Sequence, residues 1–312
     1  MILLSRVAER LYWMSRYLER AEGMARVTNA YTHLIMDLPR GTEVEWGMLI
    51  NIMGAKPTFE SMGYNYTEQG TLKFVIASLD NASSISACIK AARENMRTTR
   101  DVLPHEIWET INELHLYCKE TASQSISRRN RYEFLNEVTA RCQMLNGLVM
   151  TTLCRDHCYR FIKLGHLLER ADINSRVLDV ALASIASRQI ENPAFDSLIW
   201  ASLTQALGAL GTYRRAVGPM IDATSAINYL YKEPSSPRSI LFCINAIRND
   251  LKALKQHQKA LDQADKIYQS IEQFEAQDMT AKQFHSFSDA FQKAVSELNN
   301  CINQLWFSAQ QR

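Results

Sequence analysis

A short segment occurs twice in the sequence and indicates how the fold is organised. Its first copy is Leu18-Glu19-Arg20-Ala21-Glu22, followed by Arg26-Val27. It returns as Leu168-Glu169-Arg170-Ala171-Asp172, followed by Arg176-Val177, at an offset of 150 residues. One short match of this kind arises easily by chance. A repeat therefore requires further matches in the same order.

Two further blocks match, at offsets of 154 and 155 residues. The first pairs Trp46, Leu49, Gly54, Ala55 and Phe59 with Trp200, Leu203, Gly208, Ala209 and Tyr213. The second pairs Ser84-Ile85, Cys88-Ile89 and Arg93 with Ser239-Ile240, Cys243-Ile244 and Arg248. Three ordered blocks with a slowly drifting offset are typical of duplication with small loop insertions. We predict two tandem, diverged repeats, residues 1–150 and 151–312, the second with a C-terminal helical extension.

The periodicity of the apolar residues is helical almost throughout. From Leu3 to Met36 they recur every three or four positions, which places them in one stripe, and Pro39-Arg40-Gly41 ends the helix. Further helices are predicted over 43–53, 67–79, 85–100 after a cap at 81–84, 104–122, and from 132 with little interruption into the second repeat. Residues 251–311 predict one or two exposed amphipathic helices. The fold class is therefore all-α, packed as a helical bundle.

Composition excludes several classes of function. A net charge of +2 over 312 residues gives no strong field for phosphate backbones, which disfavours a nucleic-acid binder. The sequence has no apolar run long enough to cross a membrane, and Arg6, Glu9 and Arg10 interrupt its apolar start. The seven dispersed cysteines indicate reduced thiols. We expect a cytoplasmic protein without a membrane or nucleic-acid partner.

Helical geometry limits what the repeated motif can do. Residues three or four positions apart share a helix face, so Glu19, Glu22 and Arg26 lie together. The second copy repeats this arrangement with Glu169, Asp172 and Arg176. Arg20 and Arg170 point about 100° away from these faces, because a helix turns by that angle per residue. Both arginines must therefore find other partners.

Two groups of residues in the sequence are candidates for a metal site. Helical bundles that hold two metal ions use a Glu with a His three residues later, whereas here His166 precedes Glu169 and Arg16 stands at the matching place. That arginine would repel a cation. A second possible cluster, Cys154, His157 and Cys158, puts both cysteines on one helix face, but apolar neighbours favour core cysteines. We predict no metal and no cofactor.

Other motifs carry little chemistry. The sequence has no Gly-rich phosphate loop, nucleophile elbow or Cys/His catalytic motif. Helical spacing of Trp13, Tyr17, Trp46 and Trp200 favours packing over an aromatic binding surface. The basic run Ser127-Arg128-Arg129-Asn130-Arg131 is read as a solvated loop, with partner docking as the alternative. Whether the protein is an enzyme therefore stays open.

Several segments of the sequence resemble the alpha-E family, named for its α-helices and Glu-Arg motifs. They are the opening Leu4-Ser5-Arg6-Val7-Ala8-Glu9-Arg10-Leu11-Tyr12-Trp13-Met14, the two Leu-Glu-Arg-Ala blocks and Ala92-Arg93-Glu94-Asn95. The resemblance spans nearly the whole chain and is weakest after about residue 260. It implies an all-helical fold and an unassigned activity. Similar proteins occur alongside circularly permuted ATP-grasp ligases and transglutaminase-like proteins, which implies a shared pathway of peptide or amide formation. The family supplies motif positions but no catalytic residue.

Three interpretations of the motif follow. The first is an accessory or recognition protein acting with a peptide-ligating or peptide-modifying enzyme. The second is an enzyme that uses the Glu19 and Glu169 carboxylates as general acid or base in a cleft between the repeats. The third is a purely structural ion-pair scaffold. The candidate ligand-binding residues are Glu19, Arg20, Glu22, Arg26, Glu169, Arg170, Asp172 and Arg176, whose arginines could hold a carboxylate, a phosphate or a peptide terminus.

Overall fold

Two long helices form the centre of the fold. They are α1, Ser5–Met36, and α8, His157–Ala186, and each buries an apolar stripe. The computed structural model describes residues 5–36, 45–187, 193–277 and 279–308, and over these ranges the chain is predominantly helical without a β-strand. The all-α prediction is therefore confirmed. None of the helices in these ranges has the length and apolar character that crossing a membrane requires.

Six helices follow α1 within residues 45–156. They are α2 Gly47–Met53, α3 Lys56–Ser61, α4 Glu68–Leu72, α5 Ile85–Arg97, α6 His105–Thr121 and α7 Arg128–Thr152. A π-helical turn, Lys73–Ala77, extends α4, and 3-10 turns at Arg100–Val102 and Gln124–Ile126 precede α6 and α7.

Six helices also follow α8 in the described part of the second half. They are α9 Pro193–Ala206, α10 Leu210–Ala216, α11 Ala223–Lys232, α12 Ile240–Leu251, α13 Gln258–Glu272 and α14 Ala281–Ile302. A π-helical turn, Asn303–Phe307, ends the described helical structure. Glu19 and Glu169 thus lie on the first helix of their respective halves.

Helices α1 and α8 lie side by side and run in the same direction. Gly165 of α8 lies against Tyr12 of α1, and further along both helices Ile173 lies against Gly23. Because the residue numbers of the contacting pairs increase along both helices in the same direction, the two helices are parallel. A Cβ at position 165 would overlap the backbone oxygen of Tyr12, so this glycine permits a close approach of the two backbones.

The other helices cover this pair from both sides. Helices α5 and α7 pack on α1, while α12 and α14 pack on α8. Two short helices cross between the halves, because α2 packs on α8 and α9 packs on α1. One continuous hydrophobic core results. The motif residues of α1 and α8 therefore lie at the centre of the molecule.

Several predicted boundaries are confirmed and others are wrong. Ser84 caps α5 by accepting a hydrogen bond from the Ala87 amide, but the helix ends at Arg97 rather than at 100. Helix α2 begins at 47 rather than at 43, and the 67–79 helix divides into α4 and its π-helical turn. The predicted stop at Pro39-Arg40-Gly41 lies outside the described residues.

The helix predicted from 132, with little interruption into the second repeat, is two separate helices. Helix α7 begins at Arg128 and ends at Thr152, and residues 153–156 separate it from α8. Asp156 adopts an extended backbone and accepts a hydrogen bond from the Tyr159 amide, which starts α8 as a separate helix.

The basic run at 127–131 is not a solvated loop but the start of α7. Ser127 has the extended backbone of an N-cap residue, and the helix begins at the next position. Arg128 and Arg131 both pair with Glu68, at 2.7 and 2.9 Å. Neutralisation by this carboxylate explains how Arg131 can be buried.

Candidate functional site

Glu169 of α8 is held by two arginines of α1. Arg16 Nε donates to Glu169 Oε2 at 2.7 Å. Arg20 donates from Nε to Oε1 at 2.5 Å and from Nη2 to Oε2 at 3.1 Å. This two-point contact is the geometry that a planar guanidinium and a carboxylate prefer.

Glu19 of α1 is held by the matching residues of α8. Arg170 donates from Nε to Glu19 Oε1 at 2.6 Å and from Nη2 to Oε2 at 3.2 Å. His166 Nδ1 lies 3.0 Å from Oε2, and Arg238 Nη1 lies 4.0 Å from Oε1. Each copy of the motif therefore pairs its glutamate with the arginine of the other copy.

The parallel packing of α1 and α8 explains this exchange. Within one helix, Glu19 and Arg20 point about 100° apart and cannot pair. When two parallel helices lie in register, the glutamate of each faces the arginine that follows the glutamate of the other. The inference that Arg20 and Arg170 must find partners elsewhere is confirmed by their bonds to Glu169 and Glu19.

Both carboxylates are buried, with 4% exposure for Glu19 and 1% for Glu169. Burial alone would raise the pKa of Glu19, but Arg170 and His166 beside it hold that pKa well below its usual range. Burial would likewise raise the pKa of Glu169, and Arg16 and Arg20 lower it further than burial raises it. Both groups are thus ionised at neutral pH and have no proton to give as general acids.

The outer members of the motif pair within their own helices. Arg26 Nε donates to Glu22 at 2.9 Å, and Arg176 Nε donates to Asp172 at 3.1 Å. Glu22 also accepts a bond of 3.2 Å from Arg238 Nη2. These four-residue spacings confirm that each carboxylate shares a face with the following arginine.

Sequence reasoning missed two residues of the site. Arg238, in the loop before α12, contacts both Glu19 and Glu22, while Ser83 stands at the corresponding position of the first half. Asn299 of α14 accepts bonds from Arg16 Nη1 at 2.7 Å and from the Tyr12 hydroxyl at 2.9 Å. Only the arginine beside a proline-rich loop could have been noticed in the sequence.

The prediction of core cysteines is confirmed for Cys158 and wrong for Cys154. Cys154 lies exposed in the loop before α8, so it shares no helix face with the buried Cys158. The helix start at residue 157, fixed by the Asp156 cap, is the physical reason. Within the described ranges, no three His, Cys, Asp or Glu side chains converge as metal ligands would.

A cleft of about 780 Å³ lies where α1, α7, α9 and α10 meet. Arg26 lines it together with His33 and Arg214, whereas Glu19 and Glu169 are not among its lining residues. Of the candidate residues, Arg26 alone reaches this cleft. The motif thus combines a buried ion-pair centre with one arginine at an open surface.

The fold and the site define an all-helical protein whose two central helices exchange glutamate–arginine pairs. The chain belongs to the Alpha-E family, described as a predicted alpha-helical domain with a conserved ER motif, whose model matches residues 3–307.

Two relatives extend this comparison. Uncharacterized proteins of Mycobacterium bovis and of Mycobacterium tuberculosis are each 22% identical over 267 residues, which covers 80% of this chain. The chain spans only 30% of the length of these relatives. No solved structure matches the chain.

Proposed function

We propose that this chain is a non-redox accessory or recognition component of a pathway that forms or modifies peptide or amide bonds. Its partners are an ATP-grasp ligase and a transglutaminase-like protein, as the family resemblance implies, and its location is the cytoplasm. The chemistry then resides in the partners, while this chain supplies a rigid helical body that binds and positions.

One observation carries the proposal. Glu19 and Glu169 are buried and each is neutralised by arginines of the opposite helix, so neither is free for general acid-base catalysis. Paired charges at a helix interface usually serve architecture. The mycobacterial relatives, of which this chain spans 30%, support a domain that works with further polypeptide.

The duplication of one helical unit is part of the same proposal, with residues 1–150 and 151–312 as its two copies. In the described residues, each half has one long helix followed by six shorter helices. Gly54 and Gly208, at corresponding positions, both have a positive φ, of 62° and 73°. Ser84 and Ser239 both cap a helix and donate to a carbonyl six residues upstream. Such shared local details favour common descent.

The partner hypothesis can be tested by reconstitution. The chain is co-expressed with the ATP-grasp ligase and the transglutaminase-like protein of the same genome, and complex formation and ATP-dependent product release are measured. We expect a stable complex and a change in the kcat/KM of the ligase on adding the chain, with no turnover by the chain alone.

Two results would contradict this. Absence of any complex and of any effect on either partner would remove the accessory role. Turnover by the isolated chain that disappears in folded Glu19→Gln or Glu169→Gln variants would favour the enzyme interpretation instead.

A further inference from the structure

We propose that the cleft between α1, α7, α9 and α10 binds the free carboxylate end of a peptide. This inference rests on the proposed function and names the ligand class for it. The cleft volume of about 780 Å³ falls within the range of about 300–1,000 Å³ that small-ligand sites occupy.

The charge of the cleft favours an anion. Arg26 and Arg214 line it, and its lining residues include no Asp or Glu within the part of the chain that the structure describes. Arg214 is exposed and has no carboxylate partner among the described residues. The bond from Arg26 to Glu22 uses Nε, which leaves its two Nη nitrogens for an incoming acceptor. Guanidinium groups placed in this way suit a carboxylate.

The remaining polar lining suits a peptide group. The amide side chains of Asn29, Asn136 and Gln205 lie along the cleft, and each offers both a donor and an acceptor. Asn29 Nδ2 donates to Asn136 Oδ1 at 3.1 Å, which fixes two of these amides relative to each other. A bare phosphate would use the cations and the amide donors but not the amide acceptor oxygens. A peptide backbone that ends in a carboxylate uses the cations, the donors and the acceptors.

The corresponding positions of the other half carry carboxylates. Asn29 corresponds to Asp179 at the 150-residue offset, and Arg214 corresponds to Glu60 at the 154-residue offset. Asp179 pairs with His285 at 2.9 Å. Of two surfaces with a common origin, only the surface at Arg214 is suited to an anion.

The third pair of positions follows from the buried faces of α7 and α14. At an offset of 153 residues, four buried residues of α7 correspond to four buried residues of α14. They are Leu135, Val138, Cys142 and Leu145 in α7, and Ser288, Phe291, Val295 and Leu298 in α14. The same offset places Asn136 opposite Asp289. At three corresponding positions, a carboxylate in one half is therefore an amide or an arginine in the other.

The test uses the full chain and alanine peptides as probes. Alanine is suitable because the lining residues would contact the backbone and the terminal carboxylate of a peptide rather than its side chains. N-acetyl-trialanine with a free carboxylate, the same peptide as a carboxamide, and inorganic phosphate are titrated while backbone and arginine Nε resonances are recorded. Arg214→Gln removes the unpaired cation. Arg215→Gln is the matched control, because Arg215 is equally exposed and is not among the lining residues.

We expect the free-acid peptide to shift the resonances of the cleft and Arg214→Gln to weaken binding about tenfold, as loss of a charged hydrogen bond does. The carboxamide should bind the unsubstituted protein at least as weakly as the free-acid peptide binds the Arg214→Gln variant. Arg215→Gln should change the affinity for the free-acid peptide by less than about twofold. Binding of phosphate but not of peptide, equal binding of acid and carboxamide, or no shift at all would each overturn the proposal.

The two proposals fail separately. Peptide binding at the cleft without any effect on a ligase partner would remove the pathway and leave the site. An effect on the partner that Arg214→Gln leaves unchanged, with no peptide binding, would remove the site and leave the accessory role.

Discussion

The two glutamates of the motif are equally buried but are held in different ways. Glu169 lies between two arginines, whose charges are permanent. Glu19 lies between one arginine and the imidazole of His166. The difference arises at one pair of corresponding positions, Arg16 and His166. The same ion-pair exchange is therefore built with two different types of cation at this position.

A second difference compensates for the first. Arg238, which has Ser83 as its counterpart in the other half, approaches Glu19 and also binds Glu22. The Glu19 centre therefore has His166 and Arg238 where the other half has Arg16 and Ser83. Charge balance in a buried centre thus depends on the whole set of neighbours rather than on one motif.

Glu169→Gln should cause the largest loss of unfolding free energy and should show whether the two glutamates differ. It leaves Arg16 and Arg20 without their carboxylate, and an uncompensated buried charge costs about 3–5 kcal/mol. Glu19→Gln should cost less, because it leaves only one helix arginine without its carboxylate and Arg238 keeps Glu22. Unfolding in urea measures both free energies.

Asp172→Asn serves as the control for these variants, because its pair with Arg176 is partly exposed and should contribute no more than about 1 kcal/mol. If Glu169→Gln cost as little as Asp172→Asn, a structural role for the exchange would be wrong.

Gly165→Ala should have the next largest effect, because it separates the helices on which both centres depend. Its Cβ would overlap the Tyr12 backbone, and overpacking of this kind costs about 1–3 kcal/mol. Gly147→Ala is the matched control. It meets no atom within 4 Å in the middle of α7, and it should stabilise by about 0.5–1 kcal/mol. Thermal melts compare the two, and equal shifts would contradict the close helix contact.

Arg16→His gives the Glu169 centre the type of side chain that His166 gives the Glu19 centre. We expect a loss of about 1 kcal/mol at pH 7.5, because an imidazole keeps one hydrogen bond but loses permanent charge. The loss should shrink at pH 6, where the new histidine is protonated beside Glu169. The same loss of stability for Arg16→His at both pH values would show that charge at this position is unimportant.

Acid should weaken both centres. The pKa of Glu19 and of Glu169 is lowered in the folded protein, burial being outweighed by the neighbouring cations. The unfolded chain therefore takes up protons first as the pH falls, so this stability is complete at neutral pH and declines below about 4.3, the ordinary glutamate pKa. Unfolding free energies from pH 7 to pH 3 should fall less steeply for Glu19→Gln. A wild-type slope in that variant would contradict the lowered pKa of Glu19.

Much of the fold could be predicted because the determining features are local. The apolar period of α1 and the Ser84 cap are readable in sequence. The division at residues 153–156 was missed because the neighbouring residues continue a helical pattern, and only the side chain of Asp156 ends the ambiguity.

The site could be predicted only in part, because its contacts join distant parts of the chain. Helix geometry indicates that Arg20 turns away from Glu19, but not which helix lies opposite. The bond between Arg20 and Glu169 spans 149 residues. The role of Arg238 was hidden for the same reason, since nothing local in its loop indicates a contact with Glu19, more than 200 residues earlier in the chain.

The parallel arrangement of α1 and α8 makes the exchange self-complementary. One copy of the motif already contains both partners, Glu19 and Arg20. Two identical copies of residues 1–150, related by a twofold axis along α1, would pair the Glu19 of each with the Arg20 of the other, as an isologous dimer interface requires. The centre of this chain thus has the form of a subunit interface that lies within a single polypeptide.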